Sequence, residues 1–259
     1  MRRSRIQARF RDRDFARVCS LGHFLPFYIR HAAHQEYDGI WLDLEHRAMA
    51  EREVQSLLAL CHYNDIDCMV RPPSLERGRL YRYLEDGATG FMIPFVSSVE
   101  TAQHVVNAVK FPPLGNRGFE GAGLDGDYVL ESGRPGSTYT DDANRETFIV
   151  AQIETLEAVA NIEQIAAVPG IDCLFVGPAD LGLRLAKAQD DALTLDDAIA
   201  RVAAAARRHD KAWGMAVGSL ENLVRYRRMG AQMLPWGSEF SLIEVLQNRR
   251  RDLDEVLAP

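Results

Sequence analysis

Short apolar runs of strand type alternate with longer amphipathic stretches of helical period along nearly the whole chain. The candidate strands are Arg17–Leu21, Gly39–Leu42, Asp67–Arg71, Gly90–Phe95, Phe148–Ile153, Cys173–Val176, Ala212–Val217 and Gln232–Trp236. Helical patterns follow most of them, over Pro26–Gln35, Glu51–Tyr63, Glu76–Asp86, Val99–Val109, Leu156–Val168, Leu195–Arg208, Leu220–Met229 and Ser241–Leu257. Gly87 and Gly230 stand where helix C-caps are expected. Eight such units in 259 residues predict a TIM (β/α)8 barrel, a single domain over 1–259 with a C-terminal helix at about 241–257. An open doubly wound sheet would more often carry a glycine-rich phosphate turn after its first strand, and Ser20-Leu21-Gly22-His23 is not one. One connection, 111–146, breaks the rhythm with Pro112-Pro113, Gly121-Ala122-Gly123 and Arg134-Pro135-Gly136; a stretch of that length predicts a functional loop or lid at the rim.

Within this pattern, Val150-Ala151-Gln152-Ile153-Glu154 and Phe175-Val176-Gly177-Pro178-Ala179-Asp180 each read as a strand that leads to a carboxylate. The helical stretch between them makes a βαβ unit, whose strands run parallel and finish on the same edge of the sheet. Glu154 and Asp180 are then neighbours, either as two hard oxygen ligands for a divalent metal or as two carboxylates that merely face water.

In a barrel, chemistry belongs at the C-terminal ends of the strands. Those ends carry Asp43, Glu45 and His46 after the second strand and Arg71 on the third. His46 is an acid or base candidate near neutral pH, with Asp43 and Glu45 close enough to orient it; its other reading is a hydrogen-bonding surface residue. Arg71 precedes Pro72-Pro73, which ends the strand abruptly; its guanidinium is suited either to a substrate oxyanion or to a salt bridge with Asp43 or Glu45. His23 is a weaker candidate at the first strand's end, and the pair His31 and His34 reads as a solvated helix face.

Composition narrows the partners. The net charge of −7 and pI near 5.5 argue against nucleic acid as the main partner, and no apolar run approaches the roughly 20 residues of a membrane span. Cys19, Cys61, Cys68 and Cys173 show no CxxC spacing, and three fall in expected strands, so a reducing, cytoplasmic setting is expected. The arginine-rich start, Met1-Arg2-Arg3-Ser4-Arg5, reads as a solvated segment rather than a transit peptide, since Asp12 and Asp14 interrupt it.

Six motifs occur together in order: Asp38-Gly39-Ile40-Trp41-Leu42-Asp43-Leu44-Glu45-His46, Val70-Arg71-Pro72-Pro73, Phe111-Pro112-Pro113-Leu114-Gly115-Asn116-Arg117-Gly118, Ala143-Asn144-Arg145-Glu146, Gln152-Ile153-Glu154-Thr155 and Gly177-Pro178-Ala179-Asp180-Leu181. In these the chain resembles the HpcH/HpaI class II pyruvate aldolases over nearly its whole length, from about residue 17 to the last strand. The resemblance implies a TIM barrel of the phosphoenolpyruvate/pyruvate-domain type and one divalent ion, Mg²⁺, Mn²⁺ or Co²⁺, on Glu154 and Asp180. It implies His46 helped by Asp43 as acid/base centre, Arg71 facing the pyruvate oxygens, Gln152 beside the metal, and the backbone amides at Ala179 and Asp180 holding the pyruvate carboxylate. It also implies a homo-hexamer that exchanges C-terminal helices. Glu85, Gly182 and Glu239 depart from the family pattern of Asp, Ser and Asp, which leaves the substrate range open.

The expected reaction is reversible aldol cleavage of a 4-hydroxy-2-oxo acid to pyruvate, or hydroxypyruvate, and an aldehyde. A Schiff-base route would need a lysine at a strand end, and Lys110, Lys187 and Lys211 are not there. Two alternatives stand beside it: a citrate-lyase-β-like CoA-ester lyase, for which no convincing basic groove is evident, and a non-catalytic 2-oxo-acid-binding protein, which would not need His46.

Overall fold

A computed structural model describes residues 2–188 and 193–258. It opens with α1 (Arg5–Arg11), and then strands and helices alternate: β1 (Val18–Leu21), α2 (Pro26–His34), β2 (Gly39–Asp43), α3 (Glu51–Tyr63), β3 (Asp67–Arg71), α4 (Arg77–Glu85), β4 (Gly90–Ile93) and α5 (Val99–Val109). After a long connection come α6 (Tyr139–Glu146), β5 (Phe148–Ile153), α7 (Leu156–Ala160), α8 (Ile162–Ala166), β6 (Cys173–Val176), α9 (Pro178–Leu185), α10 (Leu195–Arg208), β7 (Ala212–Met215), α11 (Leu220–Arg228) and α12 (Ser241–Leu257). The seven strands form one parallel sheet in sequential order, β1 to β7. All the connections between neighbours are therefore crossovers that carry helices to the outer face.

The expected eighth strand is not a regular strand. Its segment instead makes isolated parallel bridges to both edges of the sheet, Ala16 with Met233 and Ser20 with Ser238 on one side and Gly214 with Met233 on the other. Pro235 has no N–H to donate and Gly237 turns to φ +98°, so a continuous ladder cannot form there. The sheet curls far enough for one segment to touch both of its edges.

Two apolar cores follow from strand alternation. Along β5, Ile149, Ala151 and Ile153 pack outward against the helices. Phe148 and Val150 face inward with Val18, Met69, Met92, Phe175 and Met233. The same period of two carries the polar residues: Met69 points inward, so Asp67 and Arg71 do too, at opposite ends of β3.

The N-terminal segment is not solvated, contrary to expectation. Ser4 caps α1, and Ile6 and Phe10 close the inner core from the N-terminal edge of the sheet. Asp67 accepts from Ser4 Oγ and Ile6 N, each at 2.7 Å, and pairs with Arg2. Glu146 accepts from Ser4 N at 2.9 Å, and Gln7 donates to Asp172 at 2.8 Å.

The expected single helix over Leu156–Val168 divides at Asn161, whose side chain donates to Ser97 O at 2.9 Å. The long connection is folded rather than open. It has a short 3₁₀ turn at Leu124–Gly126, a cis bond between Pro112 and Pro113, and a buried ion pair, Arg117–Asp125 at 2.5 Å, to which Tyr139 Oη adds a bond at 2.6 Å. By contrast α12 has no buried residue and exposes Leu242, Ile243, Val245, Leu246 and Leu253. Among the described residues no helix is long and apolar enough to cross a membrane. All four cysteines are free and buried.

Candidate active site

The C-terminal edge of the sheet gathers the polar residues expected there. Asp43 ends β2 and Arg71 ends β3, in register with each other. Arg71 Nε donates to Asp43 Oδ1 at 2.9 Å, and its Nη2 and Nη1 make ion-pair contacts with Asp43 Oδ2 at 2.8 Å and Glu45 Oε2 at 3.2 Å. Its guanidinium also sits 5.0 Å above the ring of Trp41, two positions before Asp43 on the same face. This planar group is thus fixed on two sides by carboxylates and from below by an indole. Both salt-bridge partners weighed from the sequence are used at once. Burial works against the Asp43 carboxylate, but Arg71 and the amides of His46 and Glu45 outweigh it and hold its carboxyl below the usual range.

His46 is more than half exposed and its Nε2 lies 3.5 Å from Glu45 Oε2. Asp43 touches the His46 backbone N–H at 3.3 Å, not the imidazole, so Glu45 is the carboxylate beside the ring.

Across the mouth, Glu154 follows β5 on the inward-facing row after Gln152. It is buried, with 2% of its surface exposed. Gln152 Nε2 donates to its Oε2 at 2.6 Å, and Phe95 N donates to its Oε1 at 2.8 Å. Phe95 holds φ at +52° to aim that amide, an unusual conformation for an aromatic residue. Gly177 is required by the same crowding, because a Cβ there would stand 2.4 Å from Glu154 Oε2. Burial pushes the Glu154 carboxyl up to about 7; the Phe95 amide opposes this, while the negative charges of Asp180 and Glu45 add to it. Among the described residues no cation bonds Glu154, and Arg71 is engaged by Asp43 and Glu45.

Asp180 lies in the first turn of α9 and forms an i,i+4 ion pair with Arg184 at 2.6 Å. Ala179 and Asp180 are the second and third residues of that helix, so their N–H groups have no intrahelical acceptor. Such an end favours an anionic group.

Among the described residues no three His, Cys, Asp or Glu side chains converge as a metal cluster. The donor set nevertheless fits a hard divalent cation. It has two carboxylates, Glu154 raised chiefly by burial and further by the charge of Asp180, and beside them Gln152 Oε1 is buried without a hydrogen-bond partner. Oxygen donors of this kind suit Mg²⁺ or Mn²⁺. The lysines lie elsewhere: Lys110 is buried at the opposite edge, bonded to the carbonyls of Asn144 and Thr147, and Lys211 directly precedes β7. Sequence reasoning missed the Phe95 amide, Arg184 and the pair formed by His23 and Glu239, 2.9 Å apart. The i,i+4 spacing of Asp180 and Arg184 was a readable signal; the other contacts depend on loop geometry.

Known proteins share this chain's sequence and fold. The family model described as HpcH/HpaI aldolase/citrate lyase matches residues 21–244. A hydroxypyruvate/pyruvate aldolase of Paraburkholderia phytofirmans is 31% identical over 232 residues, 86% of each chain. A 2-dehydro-3,6-dideoxy-6-sulfogluconate aldolase of Pseudomonas putida is 38% identical over 145 residues, an alignment spanning 56% of this chain and 55% of that one. The crystal structure of an HpcH/HpaI aldolase from Desulfitobacterium hafniense superposes with a TM-score of 0.85 at 28% identity, covering 96% of both chains. With its sequence motifs, parallel sheet and polar C-terminal edge all in agreement, the chain belongs to the HpcH/HpaI aldolase/citrate lyase family.

Proposed function

We propose that this carbon–carbon lyase cleaves a 4-hydroxy-2-oxo acid reversibly to pyruvate, or hydroxypyruvate, and an aldehyde, with a divalent ion held by Glu154 and Asp180. The observation that carries this reading is a buried carboxylate raised to about 7 among like charges, opposite an arginine fixed at the same mouth. The relatives named as hydroxypyruvate/pyruvate aldolases support it. The bound ion would supply Lewis-acid stabilisation of the negative charge that develops on the substrate's keto oxygen.

The chain's own residues do the rest. Arg71 spends its Nε–H on Asp43 and sets its Nη groups against Asp43 and Glu45, and its remaining N–H groups donate to substrate oxygens. Because its carboxylate partners hold it in place beforehand, little reorganisation is needed when charge appears. The N–H groups of Ala179 and Asp180 receive the 2-oxo acid carboxylate at the start of α9. Gln152 fixes the rotamer of Glu154. In cleavage His46 takes the proton of the 4-hydroxyl, the C3–C4 bond breaks, and its electron pair remains on the three-carbon fragment. Glu45 stabilises the imidazolium so formed.

The segment that bridges both sheet edges would serve as the eighth stave of a (β/α)8 barrel. The apolar residues of α12 would pair with neighbouring copies in a homo-oligomer, a hexamer by family resemblance. Four buried thiols without a disulfide suit a cytoplasmic setting.

The test is exchange of the pyruvate methyl protons for deuterium, followed by proton NMR, in metal-stripped protein, with Mg²⁺ or Mn²⁺ restored, and in Glu154→Ala. Exchange that needs the metal and is lost in the variant is expected. No exchange with either metal would overturn the aldolase reading in favour of a CoA-ester lyase or a binding protein. Borohydride with pyruvate should leave the protein unmodified, because Lys110, Lys187 and Lys211 do not stand at the C-terminal end of a strand.

A further inference from the structure

At the N-terminal edge of the sheet, away from Asp43 and Arg71, a cavity of about 520 Å³ lies where α10, the end of α11 and the end of α1 meet. Small-molecule sites run from roughly 300 to 1,000 Å³. Phe10, Ala203, Ala204, Trp213 and Met229 give this one an apolar wall. Gly230 keeps the aromatic part of that wall uncovered. It passes the indole at φ +96° without a side chain, where a Cβ would stand 3.9 Å from Trp213 Nε1.

The charges around the cavity are nearly all of one sign. Arg13, Arg207, Lys211 and Arg227 line it against a single carboxylate, Asp210, on a chain whose net charge is −7. Asp210 is engaged by Arg13 at 2.8 Å. Arg227 lies over the ring of Phe15, donates to Ala231 O at 3.3 Å and stands 3.9 Å from Asp14. Among the described residues no ion pair or side-chain hydrogen bond engages Arg207 or Lys211, and the Lys211 ammonium is not sealed from solvent. Burial pulls that ammonium below the usual lysine range, although the negative charges of Asp172 and Asp210 raise it.

Two uncommitted cations and an aromatic wall in one cavity match a flat ring that carries an anionic group. We propose that this cavity is a binding site for a ring-bearing organic anion, separate from the proposed active site. The anionic group faces Arg207 and Lys211, and the ring lies along Trp213 and the two alanines. Two kinds of molecule share this chemistry, an aromatic carboxylate and a nucleoside monophosphate. Either would touch three parts of the chain that close the sheet. Phe10 and Arg13 belong to the end of α1, Lys211 leads into β7, and Gln232 of the returning segment donates to Phe10 O at 3.3 Å and accepts from Ala16 N at 2.8 Å. Occupancy therefore stabilises the fold by mass action.

The experiment titrates the full chain with benzoate and with AMP, followed by tryptophan fluorescence and by thermal denaturation. Inorganic phosphate, benzamide and adenosine supply the anion or the ring alone. At least one of the two anions should change the fluorescence and raise Tm, and the one that does identifies the kind of ligand. The fluorescence change should vanish in Trp213→Phe, since Trp41 and Trp236 line a different cavity. Lys211→Met and Arg207→Gln should each weaken binding by about tenfold or more. Arg207 is exposed, so its variant tests the site even if the half-buried Lys211 is needed for folding. No response to either anion at about 10 mM would overturn the site. So would a response that neither charge variant weakens, or phosphate, benzamide or adenosine binding as tightly as the responding anion. None of these readouts uses turnover, so failure here leaves the aldolase reading standing, and failure of methyl exchange leaves this site standing.

Discussion

Replacing Glu154 by Gln should make the metal-free protein more stable at alkaline pH while abolishing its response to metal. In the folded state the Glu154 carboxyl is held at about 7 by burial and by the charges of Asp180 and Glu45, against an ordinary value of 4.5. Between those two values the folded chain holds a proton that the unfolded chain has lost. Stability therefore falls as pH rises from about 4.5 to about 7, and stays lowered above that. At full weight the difference corresponds to about 3 kcal/mol. Solvent reaches the site past the Asp180 side chain, which is 40% exposed, and screening brings the figure to about 2 kcal/mol. The amide is isosteric and uncharged. Phe95 N keeps its acceptor, and a flip of the Gln152 amide would turn its unpartnered Oε1 towards the new NH₂.

The assay is urea and thermal denaturation in excess chelator at pH 5 and pH 8. At pH 8 the variant should unfold about 4–8 °C higher than wild type, and most of the gap should close at pH 5. A divalent ion at 100 times its Kd should add about 2.7 kcal/mol to wild type and far less to the variant. A variant less stable than wild type at pH 8, or a gap that ignores pH, would refute the reasoning.

Arg71→Lys keeps a positive charge but loses the fork that grips Asp43 on two oxygens, so kcat/KM for retro-aldol cleavage should fall by about 100- to 1000-fold; a loss below tenfold would mean that charge alone suffices. Truncation before Ser241 removes no buried side chain among the described residues. If α12 carries the proposed homo-oligomer, the remaining chain should keep its near-UV circular dichroism while light scattering shows a smaller assembly, and an unchanged number of subunits would refute that role for α12.

The elements legible in the sequence were those whose apolar runs are uninterrupted. Asp67–Arg71, Phe148–Ile153 and Cys173–Val176 are strands over the expected residues. Misreadings cluster where backbone chemistry overrides hydrophobicity. The fourth strand stops at Ile93 because Pro94 follows, and the eighth segment is reduced to bridges around Pro235 and Gly237. α1 was hidden by its arginines, although Ser4 as cap and the i,i+4 pair Ile6 and Phe10 mark a short amphipathic helix. The short helix α9, with Pro178 at its first position, was also overlooked. At the proposed site, strand-end logic put Asp43, Arg71 and Glu154 on one edge, since period-two alternation fixes which face they occupy, whereas Asp180 stands in the first turn of α9. It could not show that Asp43 is spent on Arg71 while Glu45 attends His46, because that depends on how one turn after β2 folds.

The plug formed by α1 bears on the order in which the chain can assemble. Ser4 N ends on Glu146, 142 positions further along, and Gln7 ends on Asp172, 165 positions further along. During synthesis this segment can reach Asp67 once β3 is made, but its bonds to Glu146 and Asp172 must wait until the chain has reached β6. Contacts so distant in sequence are slow to find, though each doubling of the loop adds only about 0.6 kcal/mol to its closure. Until then Ile6 and Phe10 are left without a core, and the inner face of the sheet lies open at its lower end. A nascent chain in that state is most exposed to aggregation just before it is finished, and the step that protects it is the seating of a segment made long before.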